Sequence, residues 1–81
     1  MGARKVLNKL KWHPERSLDD SEITIEHRGA PRNELVLSGE EIEDLGSGFM
    51  EVRREGESVM IPYHRILKIK TSDGVLWRKK A

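Results

Sequence analysis

The densest polar constellation in the chain is Ile61-Pro62-Tyr63-His64-Arg65-Ile66. Arg65 suits a phosphate, because its planar guanidinium donates two parallel hydrogen bonds to an oxyanion. His64 donates from either ring nitrogen and becomes cationic with modest encouragement from a phosphate. Tyr63 offers a face on which a base stacks, or a hydroxyl for a phosphate oxygen. Pro62 has no backbone N–H and belongs at a strand end, edge or bulge, where it re-aims the chain from one hairpin into the next. The three side chains that follow it then sit at a corner where they can converge on a ligand. The alternative is a structural corner, with His64 bonded to backbone and Arg65 to an acidic loop.

A second candidate is His27-Arg28-Gly29, at the end of a strand entering a turn. Arg28 adds a phosphate contact, and Gly29 lets a ligand approach the backbone. His27 reads better as a core histidine continuing the Ile23/Ile25 face. Trp12 and Trp77 both follow apolar patterns, and core packing is the expectation for each. Lys68, Lys70 and Arg78 gain interest only if the fold places them together.

Catalysis finds less support. His13, His27 and His64 show no two-ligand zinc spacing on one helix, and there is no cysteine to complete a site. Repeated His-x-Thr or His-x-Ser motifs, a Gly-rich phosphate loop, a nucleophile elbow and a paired-carboxylate signature are all missing. The expectation is a protein that is not an enzyme and needs no cofactor or metal.

The elements that position these residues follow from periodicity. Residues 3–11 read as a helix, with Ala3, Val6, Leu7 and Leu10 on one stripe and Arg4, Lys5, Asn8 and Lys9 off it. Pro14 stops it near Lys11 or Trp12. So short a helix must dock its stripe to persist in water. Residues 22–28 alternate as a strand, 29–33 form a turn, and 34–37 resume an extended run. Ser38-Gly39 and residues 40–45 suggest a single helical turn or compact loop, closed by Gly46 and Gly48.

Two hairpins can be tested for register. A Glu55-Gly56 loop pairs Val52 with Val59 and Met50 with Ile61, all on one face. In the last hairpin a two-residue Asp73-Gly74 loop mixes apolar and charged residues on both faces. A three-residue Ser72-Asp73-Gly74 loop instead sets Thr71 opposite Val75, Ile69 opposite Trp77, Lys68 opposite Arg78 and Lys70 opposite Leu76. That register puts Leu67, Ile69, Val75 and Trp77 on an apolar face and lines the other with Lys68, Lys70 and Arg78. The expected fold is α+β: an N-terminal helix packed on a twisted antiparallel sheet of five or six strands, either open or curled towards a barrel.

With 81 residues the chain is expected to form a single domain, 1–81, close to the size where a core becomes marginal. It lacks glutamine and is crowded with Glu, Lys and Arg, a balance that resembles heat-adapted proteins. No apolar run is long enough for a membrane span, and the absence of cysteine fits a reducing cytoplasm. The net charge of +1 conceals segregation. Residues 1–16 carry five basic and one acidic side chain, a net of +4. Residues 17–62 carry four basic against twelve acidic, and residues 63–81 six basic against one acidic, nets of −8 and +5. Two basic ends brought together by folding make a positive face; otherwise they merely neutralise the acidic middle.

From about Arg4 to Lys79 the chain resembles the small archaeal proteins of the RNA cyclic-group end recognition domain family. The likeness lies in the basic helix leading to Trp12, the Arg28-Gly29 turn, the Ile61–Ile66 corner and Gly74-Val75-Leu76-Trp77-Arg78. The corner is fairly specific, whereas a lone Trp-Arg or Arg-Gly is not. Related domains have an acidic residue after the first tryptophan, where this chain has His13, so His13 carries little weight. The resemblance implies recognition of RNA ends bearing a 2′,3′-cyclic phosphate or related group, in the company of RNA end-processing or nucleotidyl-transfer enzymes. It points to Arg28, His64 and Arg65, with Trp77 and Arg78 nearby.

The combined expectation is a cytoplasmic, non-catalytic module that binds single-stranded RNA ends and no membrane. Arg65, His64 and Arg28 would hold the terminal phosphate, Tyr63 the last nucleotide, and Lys68, Lys70 and Arg78 the preceding backbone. Two other functions fit the residues less fully. One is a protein-interaction adaptor whose acidic middle meets a basic partner; the other is an RNA phosphodiesterase using His13 and His64.

Overall fold

The computed structural model describes residues 2–12 and 18–79. A helix, α1 (Ala3–Trp12), buries Ala3, Val6, Leu7 and Leu10. Seven strands follow: β1 (Glu22–Glu26), β2 (Glu34–Ser38), β3 (Ile42–Leu45), β4 (Phe49–Arg54), β5 (Glu57–Pro62), β6 (Ile66–Thr71) and β7 (Gly74–Arg78). They form two antiparallel sheets, one ordered β2-β1-β6-β7 and the other β3-β4-β5.

The α+β expectation holds, but the strands divide between two sheets and close no barrel. Both passages between the sheets are single 3₁₀ turns. The first, Gly39–Glu41, is held by a capping box: the Glu40 amide donates to Ser38 Oγ at 3.2 Å and the Ser38 amide to Glu41 Oε1 at 3.1 Å. Gly39 is obligatory there, because a Cβ would fall inside the Leu18 carbonyl oxygen. The second, Tyr63–Arg65, follows Pro62 at the end of β5, where Pro62 pairs opposite Phe49.

The core fills the space between the sheets and beneath α1. Leu7, Ile23, Leu37, Met50, Val52, Ile66 and Ile69 are fully buried. Each contributes about 1.5–3 kcal/mol by leaving water. The helix touches β3 of one sheet and β7 of the other, so its stripe closes one side of the core. No helix of the described residues is long and apolar enough to cross a membrane.

The Glu55-Gly56 hairpin has the expected register, Val52 opposite Val59 and Met50 opposite Ile61. Both loop residues have positive φ, 52° and 82°, as a type I′ turn requires. The last hairpin is half as expected. Lys68 faces Arg78 and Ile69 faces Trp77, but Thr71 faces Gly74 and Lys70 faces Val75. The loop is therefore the two residues Ser72-Asp73, tied by the Asp73 amide donating to Thr71 Oγ1 at 3.2 Å. A bulge at Leu76 restores the outer pairs. It turns Leu76 against the core and leaves Val75 46% exposed, reversing the places expected for them.

Three further expectations are corrected. Residues 42–45 form β3 rather than a helical turn or loop, because pairing with β4 imposes an extended chain on a segment with little β preference of its own. His27 is exposed rather than in the core, since β1 ends at Glu26 and His27 belongs to the turn, its amide donating to the Asn33 carbonyl at 2.8 Å. Trp12 is 76% exposed, off the buried stripe, with the Lys11 ammonium 5.6 Å from its ring centroid. Pro14 and His13 lie outside the described residues.

Candidate nucleic-acid interface

Strand alternation decides which cations face outward. In β6 the register with β1 shifts at Leu67, and that bulge lets both Ile66 and Ile69 enter the core while Lys68 and Lys70 stand on the opposite face. Lys68 lies between Thr24 of β1 and Arg78 of β7, giving a cross-strand row Thr24–Lys68–Arg78. Among the described residues, no ion pair engages Lys68, Lys70 or Arg78. Like charges opposed across a sheet repel. The Lys68/Arg78 pair is therefore unfavourable taken by itself.

The row lines an open groove of about 560 Å³, together with Leu67, Lys79, Glu26 and Glu34. Glu26 and Glu34 are opposed across β1 and β2. The groove is thus cationic over β6 and β7 and anionic over β1 and β2. Lys79 continues the cationic side: its amide donates to the Leu67 carbonyl at 2.9 Å, and its Nζ reaches the His64 carbonyl at 2.7 Å.

The same Lys79 borders a smaller hollow of about 250 Å³, shared with Gly2, Ala3, Tyr63, His64, Ile66 and Trp77. The His64 side chain is exposed there, and Trp77 is half-buried against the core. The Tyr63 hydroxyl donates to the Gly46 carbonyl at 2.6 Å. Burial pushes its pKa above the usual phenol value, against a smaller opposing pull from Arg4. That hydroxyl is engaged, so Tyr63 offers a ligand its ring rather than its O–H.

Arg65 faces elsewhere. Its Nε and Nη2 both donate to the Glu26 carbonyl, at 3.2 and 2.8 Å, and its side chain lines a third concavity between the sheets, with His27 and Arg54. The consecutive residues His64 and Arg65 thus border different hollows, on either side of the corner. Arg28 is exposed in the turn beside Gly29 and borders none of the three.

The structure thus brings Lys68, Arg78 and Lys79 together, sets His64, Tyr63 and Trp77 beside them, and separates Arg65 and Arg28 from that group. Sequence reasoning passed over Lys79, although the run Arg78-Lys79-Lys80 carries the signal. It also passed over Arg54, for which no local signal exists. Among the described residues no group of three or more His, Asp or Glu side chains is placed to hold a metal ion. His13, the second residue of the two-histidine idea, lies outside them.

Fold and surface together define a small α+β domain whose helix spans two antiparallel sheets, one of which presents opposed cations to solvent. The chain belongs to the family of the MJ1316 RNA cyclic group end recognition domain, whose family model matches residues 1–79. It is similar to a UPF0248 protein of Thermococcus kodakarensis, 44% identical over 78 residues, covering 95% of this chain and 90% of that protein. The UPF0248 protein MJ1316 of Methanocaldococcus jannaschii is 35% identical over 79 residues, covering 95% and 92%. A relative from Pyrococcus furiosus is 42% identical over 78 residues, covering 95% and 87%. No solved structure matches the chain.

Proposed function

We propose that this domain binds single-stranded RNA 3′ ends carrying a 2′,3′-cyclic phosphate or related terminal group, and that it does so without catalysis, as a recognition module working beside RNA end-processing or nucleotidyl-transfer enzymes. The observation that carries this reading is the Lys68–Arg78 pair, held opposite one another in an open groove with no ion pair to either among the described residues, and extended by Lys79 to the His64 corner. The family's description supplies the ligand class. Lys68, Lys70, Arg78 and Lys79 track the backbone phosphates, and the terminal group lies at the Tyr63–His64–Arg65 corner. Single-stranded ends suit such a surface, since their bases are free to stack on an exposed ring.

The test compares three otherwise identical RNA oligonucleotides ending in a cyclic phosphate, a 3′-phosphate or a 3′-hydroxyl, titrated by fluorescence anisotropy. The expected result is tightest binding of the cyclic-phosphate end, by about tenfold over the hydroxyl, as one added charge-assisted hydrogen bond provides. Equal affinities would reduce the interaction to backbone attraction, and no salt-sensitive binding to any of them would favour a protein partner instead.

A further inference from the structure

The cleft between the sheets has a volume of about 370 Å³ and opens where the inner faces of β1 and β2 meet β5. Leu35 and Val59 give it accessible apolar walls, backed by the buried side chains of Ile25, Leu37 and Ile61. Three nitrogen-bearing side chains from separate parts of the chain border it: His27 after β1, Arg54 at the end of β4, and Arg65 in the 3₁₀ corner.

Arg54 is the informative member. Its Nε lies 3.6 Å from a Glu41 carboxylate oxygen, while its Nη1 is buried without a hydrogen-bond partner. A guanidinium has five N–H donors, and leaving a charged donor both desolvated and unmade is costly. An oxyanion in the cleft gives the side chain a reason to turn towards it. Arg65 is pinned by Nε and Nη2 to the Glu26 carbonyl, and neither bond uses Nη1. His27 is fixed through its backbone, whose amide and carbonyl are both engaged in the turn with Asn33 and Ala30.

Glu55 and Glu57 also border the cleft. Carboxylates beside guanidiniums disfavour a bare phosphate, but they suit a ligand with hydroxyl or amino donors as well as a phosphate. Apolar walls with a few converging polar groups are the usual make-up of a small-molecule pocket, and this volume suits one nucleotide. The cleft also adjoins the outer groove. Arg65 holds the carbonyl of Glu26, and the same residue borders the groove beside Lys68.

We infer that this cleft receives the terminal nucleotide of the RNA, with its phosphate on Arg54 and Arg65, its base against Leu35 and Val59, and its hydroxyl or amino groups facing Glu55 and Glu57. This rests on the RNA-end reading above and assigns the terminal subsite to the Arg65 side of the corner rather than the His64 side. The strand then leaves over the end of β1 towards Lys68 and Arg78.

The experiment is methyl and amide NMR on the full chain, titrated separately with adenosine, with adenosine 2′,3′-cyclic monophosphate, and with a single-stranded RNA ending in that group. The expected result is movement of the Leu35 and Val59 methyls with the cyclic nucleotide and the RNA, and of the Lys68 and Arg78 amides with the RNA alone. Arg54→Gln and Arg65→Gln should each weaken the cyclic nucleotide by about ten- to a hundredfold, leaving the response to adenosine unchanged. RNA that moves the Lys68 and Arg78 amides but not the cleft methyls overturns the subsite and leaves the RNA-end reading standing. Cleft methyls that respond to the nucleotide while RNA moves no signal sustain the subsite as a nucleotide pocket and overturn the RNA reading. Equal responses to adenosine and its cyclic phosphate overturn the roles given to the arginines. The wild-type maps decide these points even if a variant does not fold.

Discussion

Replacing Lys68 and Arg78 together by glutamine takes two cations out of a row that has none to spare. In the proposed complex Lys68, Lys70, Arg78 and Lys79 are the cations that meet the RNA backbone. For single strands, the logarithm of the affinity falls with the logarithm of salt concentration by about 0.7 per phosphate neutralised. Four contacts give a slope of about −2.8, and the double variant should retain about −1.4. Between about 50 and 200 mM salt the parent then loses about fiftyfold in affinity and the variant only about sevenfold. Anisotropy titrations of a 3′-hydroxyl oligonucleotide across a potassium chloride series give both slopes. Glu26→Gln, which removes an acid from the opposite wall of the groove, should strengthen binding. Since Arg78 is exposed and no ion pair engages Lys68 among the described residues, circular dichroism should find the double variant folded. A folded double variant with the parent's slope would refute the placement of the RNA backbone on this face.

Two further expectations concern the corners that join the sheets. Gly39→Ala drives a methyl group into the Leu18 carbonyl and should cost about 2–3 kcal/mol, read as a lowered urea midpoint; an unchanged midpoint would contradict the packing described. The chain has a single tyrosine, so its phenolate can be followed at 295 nm. Tyr63 should ionise above its ordinary value of 10.0 in the folded chain and near it in urea. Because the folded value is the raised one, this group's contribution to stability is complete below pH 10.0 and is lost as pH rises through the folded pKa. Coincident titrations in the two states would place the hydroxyl in water.

The parts of the fold that were legible are those where local pattern and tertiary demand agree. Ala3, Val6, Leu7 and Leu10 mark a helix because their spacing makes one stripe, and that stripe is what the core takes in. Val52 opposite Val59 follows from the backbone geometry of Glu55-Gly56. The misjudged parts are those decided by distant neighbours. Residues 42–45 become a strand only because β4 lies alongside, and Leu76 is bulged inward by a turn one residue shorter than polarity alone suggests. Trp12 shows the limit of apolar pattern, because two positions after Leu10 it falls on the opposite side of the helix from the buried stripe. For the site, Lys68 opposite Arg78 was expected from a loop one residue too long, and the pair stands because the bulge at Leu76 makes up the difference. Strand alternation could not tell that His64 and Arg65, adjacent in sequence, look into different hollows, nor that Arg54 arrives from another sheet.

The order β2-β1-β6-β7 carries a consequence for how the chain acquires its shape. The central pair of that sheet joins Ile23 to Ile69, residues from opposite ends of the sequence, whereas β3, β4 and β5 are successive neighbours. Closing so long a loop is slow, and no contact rewards it until both partners exist. The three-stranded unit and the β1–β2 pair join neighbours in sequence, but the other edge of β1 must wait bare until β6 has been made. The cations of β6 therefore arrive with the strand that covers β1, so a half-made chain lacks the positive row of the outer face.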